Sequence, residues 1–456
     1  MNNTKTEIKA FSLENIGELE NLIYDINTED RTFGKDTKIQ LTIENPATLS
    51  DLEYALFKSL LIRNKKKFQA IYIPKGGNMF STEDGKMILF KRENGIIELI
   101  FATNDLKHAK IPDGTEIITE MVFSNSDIES VYLPDSIKEI GAASFAGCTK
   151  LTEIIIPENV RTIGHIAFEK CESLKNVKLG NQIRKISECA FNECKSLTEV
   201  ELPEKLQYIS EFMFSDCESL KKVAIKNNVI RIEYAAFCGC KNLTDIKLPE
   251  GLARIDTNAF IGCSSLKELT LPESLRTVEA KSLDIFQRIR ISKPVPRLAR
   301  AFVSYNGEDI SSISVSFKDR TFVFPKYMGQ KSAKKASDIL YNSETMDPGV
   351  YSYHEFAGTT ESKQQTALDA LIIGHDEAIR KYVKRSASAI MIRTAEKDEE
   401  SFLGLIRTFS KEEILNDKLI KKALEISKDK GWLLVSAELL QVLDSMDEKK
   451  KSGFRL

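Results

Sequence analysis

Three scarcities narrow the possibilities at once. The 456 residues include only one tryptophan and four histidines, and no run approaches the roughly 20 consecutive apolar residues needed to cross a bilayer. The start, MNNTKTEIKAFSLENIGELE, has neither an apolar centre nor a small-residue cleavage site, so it does not match an export signal and the expected compartment is the cytoplasm, with the cell surface as the alternative. An excess of positive charge is also missing: 65 basic residues face 67 acidic ones, which argues against a nucleic-acid backbone as partner. HExxH, GxSxG and GxGxxG are absent too, and no histidine stands beside a nucleophile motif. Gly85-Lys86 resembles the end of a phosphate loop, but Phe80 and Met87 occupy places that such a loop reserves for glycine and for serine or threonine, and a hairpin turn explains the glycine better.

What the chain has in abundance is repetition. Phenylalanine recurs at a 23-residue stride at Phe145, Phe168, Phe191, Phe214, Phe237 and Phe260, and Leu283 takes the next place. A cysteine follows each ring by three positions (Cys148, Cys171, Cys194, Cys217, Cys240, Cys263), and an isoleucine precedes each by five, from Ile140 to Ile255. Every unit also carries an LxxIxL segment, often closed by proline, as in LTEIIIP (151–157) and LTEVELP (197–203). Alternation with β-branched residues predicts a strand, and the proline ends it where no ladder donor is needed. The same signature reaches back to FQAIYIP (68–74) and forward to FQRIRI (286–291), about ten parallel strands spanning about 43 Å at the usual 4.8 Å spacing. One such unit cannot bury its own apolar side, so neighbours must stack into a continuous core with the phenylalanines as its spine.

The unit, roughly LPxxVxxIxxxAFxxCxxLxxIxLP, resembles the BspA-type leucine-rich repeat of bacterial proteins. The longer unit between Ile73 and Ile111 resembles the same family, which often carries an insertion built on DG and NG turns, here MFSTEDGKMILFKRENGIIELIFA. The resemblance implies a curved solenoid used for binding, with no catalysis of its own.

The expected fold class is therefore mixed α and β. A cap occupies residues 1–66, with helical spacing at 13–26 and 47–62, a strand at 37–43 and no repeat; the leucine-rich solenoid follows over 67–292, with a hairpin insertion at 79–103. A β connector at 293–330 holds the SISVSF and TFVFP hairpin; 331–360 is expected to be a linker, and 361–456 a helical domain. Within that domain Ser410 and Glu413 have capping-box spacing, and the helix pair on either side of Gly431 is weakly similar to an ankyrin unit without its TPLHxA signature.

The cysteine column is the first candidate for chemistry. Metal binding would favour CxxC pairs or nearby histidines, and the column offers neither, so eight free structural thiols and no metal or cofactor are expected. On the strands, the third and fifth places of LxxIxL face outward, exposing Tyr132, Glu153, Lys178, Glu199, Glu201, Lys222, Asp245, Lys247 and Glu268, along with residues such as Ile155. Glu199 and Glu201, about 7 Å apart, have the separation of an inverting glycosidase pair, but an open wet face gives no means to raise a carboxyl pKa. Those nine residues are instead candidates for contact with a protein partner of mixed charge, with a monomeric, non-catalytic scaffold as the expected state. One alternative, from the family's usual setting, is a cell-surface adhesin or host-interaction protein, and another places an enzyme in the C-terminal region, near His354 and His375.

Overall fold

The computed structural model describes residues 8–14, 18, 21, 37–45, 48–303, 311–374 and 376–452, with side chains as far as residue 446. They form two compact units, Met1–Ile285 and Phe286–Leu456. The helix expected at 13–26 lies almost wholly outside the described residues.

In the first unit each 23-residue repeat contributes two strands. All ten LxxIxL-type segments are strands, but they are bonded as separate ladders. Glu153–Ile155, Asn176–Lys178, Glu199–Glu201, Lys222–Ala224 and Asp245–Ile246 make a parallel ladder of five; His108–Lys110 pairs with Ser130–Tyr132; and Arg288–Ile291 belongs to the second unit. The isoleucine column supplies a second ladder of two-residue strands, such as Glu139–Ile140, Thr162–Ile163 and Lys185–Ile186. Their brevity hides them in the sequence, where two residues show no alternation.

Between the ladders the chain turns on two left-handed residues per repeat. One lies two before each phenylalanine (Ala143, Ile166, Cys189, Phe212, Ala235, Asn258) and one two after it (Gly147, Lys170, Glu193, Asp216, Gly239, Gly262). Only three of these twelve are glycine, so most repeats hold a side chain in a conformation that costs roughly 1–2 kcal/mol. The neighbouring repeat holds the turn in place: Ala143 N, Phe145 N and Gly147 N donate to His165 O, Ala167 O and Glu169 O.

The rings stack face to face inside the turns. Centroid spacings from Phe123 through Phe260 run from 4.9 to 5.7 Å, with interplanar angles of 3–12°. Phe123 extends the column by one ring beyond the expected start, at a stride of 22 that breaks the strict period. Under each ring the thiol has a defined task. Cys171, Cys194, Cys217, Cys240 and Cys263 donate through Sγ to Phe145, Phe168, Phe191, Phe214 and Phe237 O in the preceding repeat at 3.0–3.2 Å. Phe168 O also accepts Cys171 N at 3.2 Å, so one carbonyl ties two repeats together. All eight cysteines are free.

The second ladder is interrupted once. It divides between Lys185–Ile186 and Tyr208–Ile209, where the Ser210 hydroxyl, rather than a backbone amide, donates to Ile186 O at 2.6 Å. The widest ring spacings, 5.7 Å, lie on both sides of Phe214. This repeat places buried Met213 where its neighbours have Ala190 and Ala236, and the longer side chain holds the layers apart.

The N-terminal segment does repeat, contrary to the expectation for residues 1–66. Strands Ile8–Leu13, Lys38–Ile43 and Phe68–Tyr72 form a parallel sheet with Ile8 opposite Lys38 and Ile39 opposite Phe68. The strands lie near 30 residues apart, and the leg between the second and third contains a helix, α1 (Asp51–Arg63), started by the Ser50 and Glu53 capping box. The insertion folds as expected, into antiparallel Met79–Ser81, Met87–Lys91 and Ile97–Ala102.

In the second unit Arg288–Ile291 pairs parallel with Ser312–Phe317, which forms the expected hairpin with Arg320–Pro325. The linker expected at 331–360 is largely ordered structure: helix α2 (Gln330–Tyr341) buries Ala333, Ala336, Ser337 and Leu340, and Gly349–Ser352 pairs parallel with Arg320–Pro325. Small buried residues gave that helix no apolar stripe to recognise. Helices α3 (Thr360–Ile373), α4 (Glu377–Ala395), α5 (Glu399–Lys411), α6 (Asp417–Lys430) and α7 (Leu433–Ser452) follow, around a core that includes Val383, Ile390, Phe402, Phe409 and Leu439. Ser410 caps nothing: it lies inside α5, which ends as Glu413 turns left-handed, and α6 starts instead at Asn416, whose side chain accepts from Leu419 N at 3.0 Å. Gly431, at φ 71°, ends α6 as expected.

Candidate functional site

The face ladder has a regular burial pattern. In Glu153–Ile155, Asn176–Lys178 and Glu199–Glu201 the middle residue is buried and the outer two are exposed, because successive strand side chains point to opposite sides. Tyr132, Glu153, Lys178, Glu199, Glu201, Lys222, Asp245, Lys247 and Glu268 are all exposed. Glu153, Lys178, Glu199, Glu201, Lys222 and Asp245 lie on the five-strand ladder, whereas Tyr132 lies on the separate pair with His108–Lys110, and Lys247 and Glu268 lie beyond the ladder's last strand.

Its charge is partly spent internally. Glu201 pairs with Lys226, a residue the sequence reading passed over, and that partner draws its carboxyl below the ordinary range. The shift is opposite to what a proton donor needs. Lys222 reaches Asp245 at 3.7 Å. Among the described residues Glu153, Lys178, Glu199 and Lys247 form no ion pair, which leaves their charge available.

Two apolar side chains mark the N-terminal end. Tyr132 is 55% and Ile155 65% exposed, at the same place in consecutive repeats, and Lys110 Nζ sits 5.9 Å from the Tyr132 ring centroid. Farther along, a hollow of about 480 Å³ is lined by Glu158, Lys178, Asn181, Glu199, Glu201 and Lys222. Asn181 N donates to Glu158 Oε2 at 2.8 Å across repeats. Glu158 and Asn181 lie beyond the strand ends, in turns, which is why strand alternation did not identify them.

The cysteines beneath are packing groups. Burial pushes the Cys148, Cys171, Cys194, Cys217 and Cys240 thiols up, away from the reactive thiolate. Among the described residues no group of three His, Cys, Asp or Glu is placed to hold a metal, and no helix is long and apolar enough to cross a membrane.

The C-terminal alternative is partly visible. His354 lies 3.1 Å from Ser352 Oγ through Nδ1, packs against the Tyr382 ring, and is lowered in pKa by burial. His375 lies outside the described residues. Sequence reasoning missed Asp369, a buried carboxylate that accepts from Ser312 Oγ at 2.5 Å and Gln365 Nε2 at 2.8 Å beside a 390 Å³ hollow. An aspartate among the apolar residues of TALDALII was the available signal.

Comparison with known proteins agrees with the repeat geometry. No curated protein matches the chain. Among solved structures it is similar to a leucine-rich repeat protein from Bacteroides ovatus, with 21% identity, a TM-score of 0.43, and coverage of 51% of this chain and 76% of that one. A leucine-rich cell surface protein from Faecalibacterium prausnitzii gives 20%, a TM-score of 0.36, and coverage of 63% and 97%. A leucine-rich repeat protein of T. pallidum gives 26%, a TM-score of 0.34, and coverage of 46% and 86%. The family model for the BspA type leucine rich repeat region matches six copies, over residues 86–198 and 161–291. With its stacked rings, thiol ladder and paired strands, the array over residues 86–291 is a BspA-type leucine-rich repeat region, and the chain is a repeat scaffold built on it.

Proposed function

We propose that the open face of the repeat array, from Tyr132 along the five-strand ladder to Lys247, recognises a protein partner and that the chain has no catalytic activity of its own. The observation that carries this reading is the unpaired set of charges, Glu153, Lys178, Glu199 and Lys247, alongside exposed Tyr132 and Ile155 on a stacked core. An aromatic and an aliphatic side chain at adjacent repeats make a contact centre, and the surrounding charges select the partner. Because neighbouring repeats already fix these side chains, little ordering entropy is lost on binding.

The test is capture from both cytosolic and envelope fractions with the chain as bait, repeated with Glu153→Lys/Glu199→Lys and with Tyr132→Ala/Ile155→Ala. Loss of the same captured protein with both variants supports the face. Undiminished capture by both moves the contact elsewhere.

A further inference from the structure

A second surface of the first unit has a charge pattern of a different kind. Immediately after α1 the chain reads Arg63-Asn64-Lys65-Lys66-Lys67, and these residues line a hollow of about 230 Å³ whose opposite wall is Asn104, Met121, Ser124 and Asn125. Its lining holds four cationic side chains and no carboxylate. A fifth cation stands close by, since Lys38 Nζ donates to Lys66 O at 2.6 Å. Cations after a helix C-terminus normally satisfy the helix dipole, and Arg63 in the last turn of α1 does so. The three lysines beyond it exceed that need, and among the described residues Arg63 and Lys66 form no ion pair.

The least ordinary residue of the lining reaches beneath it. Lys65 is 6% exposed, and its Nζ donates to Val122 O at 2.5 Å and Ser124 O at 3.3 Å. An ammonium has three N–H groups, so one is left without a protein acceptor. Both acceptors are neutral carbonyls, and burial without a counter-charge pushes its pKa down to about 7. Buried charges in proteins are ordinarily paired, and among the described residues no carboxylate pairs with this one. Asn104 Oδ1, in the opposite wall, is also buried without a hydrogen-bond partner.

We propose that this hollow binds a tetrahedral oxyanion of the phosphate class, held by Arg63, Lys65, Lys66 and Lys67 with hydrogen bonds from Asn125 and Ser124. The size suits one phosphoryl group with a small substituent, and the donors are charge-assisted, the strong kind for such an anion. The site is separate from the sheet face, so it stands or falls independently of the partner reading.

The test uses the full chain in calorimetric titrations with inorganic phosphate, O-phosphoserine, acetate and tetraglutamate at constant ionic strength. The expected result is saturable phosphate binding, an upward shift in melting temperature with phosphate, and roughly tenfold weaker binding in Lys66→Gln/Lys67→Gln. Lys65→Met, where buried carbonyls lose their donor, is read only alongside that pair, of which Lys66 is exposed and Lys67 half-buried, and whose melting temperature without phosphate should lie close to the parent. Tighter binding of O-phosphoserine assigns the site to phosphate monoesters, and equal or tighter binding of inorganic phosphate assigns it to the free ion. Phosphate effects no larger than those of acetate, binding unchanged in the double variant, or tetraglutamate binding more tightly than either phosphate would each overturn the proposal.

Discussion

The repeat array and the C-terminal unit solve the same burial problem with different partners. In the array Phe168 stacks on Phe145 and Phe191, each residue packing against its own counterpart one repeat away. In the helical unit Phe402 meets Trp432 at 5.4 Å and 44°, and Phe324 meets Tyr353. Like-on-like packing forces the same residue type to recur and leaves a period in the sequence. Like-on-unlike packing leaves only the weaker trace of helical spacing.

Four experiments would break or sharpen that contrast. Phe191→Ala removes a ring with neighbours on both faces and should cost about 3–5 kcal/mol in a denaturant melt, whereas exposed Lys178→Ala stays within about 0.5. Equal small losses would show that the ring stack is not the array's spine. Next in size is a pH effect confined to the first unit. Unfolded Lys65 keeps its proton to near 10.5 and the folded form releases it at about 7, so the unfolded state binds more protons between those values. Stability should rise with pH across that window by up to about 1.4 kcal/mol per unit from this group, and Lys65→Met should flatten the rise.

Cys194→Ala should cost about 1–2 kcal/mol through the lost thiol bond to Phe168 O and a small void, and half-buried Cys238→Ala less. Matching values would reduce the cysteine column to simple filling. The smallest effect has the opposite sign. Ile166 holds a β-branched side chain at φ 49°, and Ile166→Asn, a residue that tolerates this conformation, should raise stability by about 0.5–1 kcal/mol in the same melt.

Legibility followed that contrast closely. The strands of the array, its buried phenylalanines and the outward orientation of Glu153, Lys178 and Glu199 were readable because each rests on period and alternation. The strand at Lys38–Ile43 was readable from its alternation, but Ile8–Leu13 and its parallel pairing with that strand escaped because no repeated motif links the two segments. Helix α2 escaped because Ala333, Ala336 and Ser337 pack by smallness. The Lys226 and Glu201 pair, and the gathering of Lys65 with Ser124 and Asn125, were beyond the sequence because they join segments whose proximity only the winding of the chain creates.

The interruption beside Met213 gives the array a mechanical character of its own. A spring of uniform coils shares any strain evenly, whereas one softer coil collects it. With the second ladder interrupted between Ile186 and Ile209 while the face ladder runs on unbroken, strain along the repeats is expected to collect on the side away from the face.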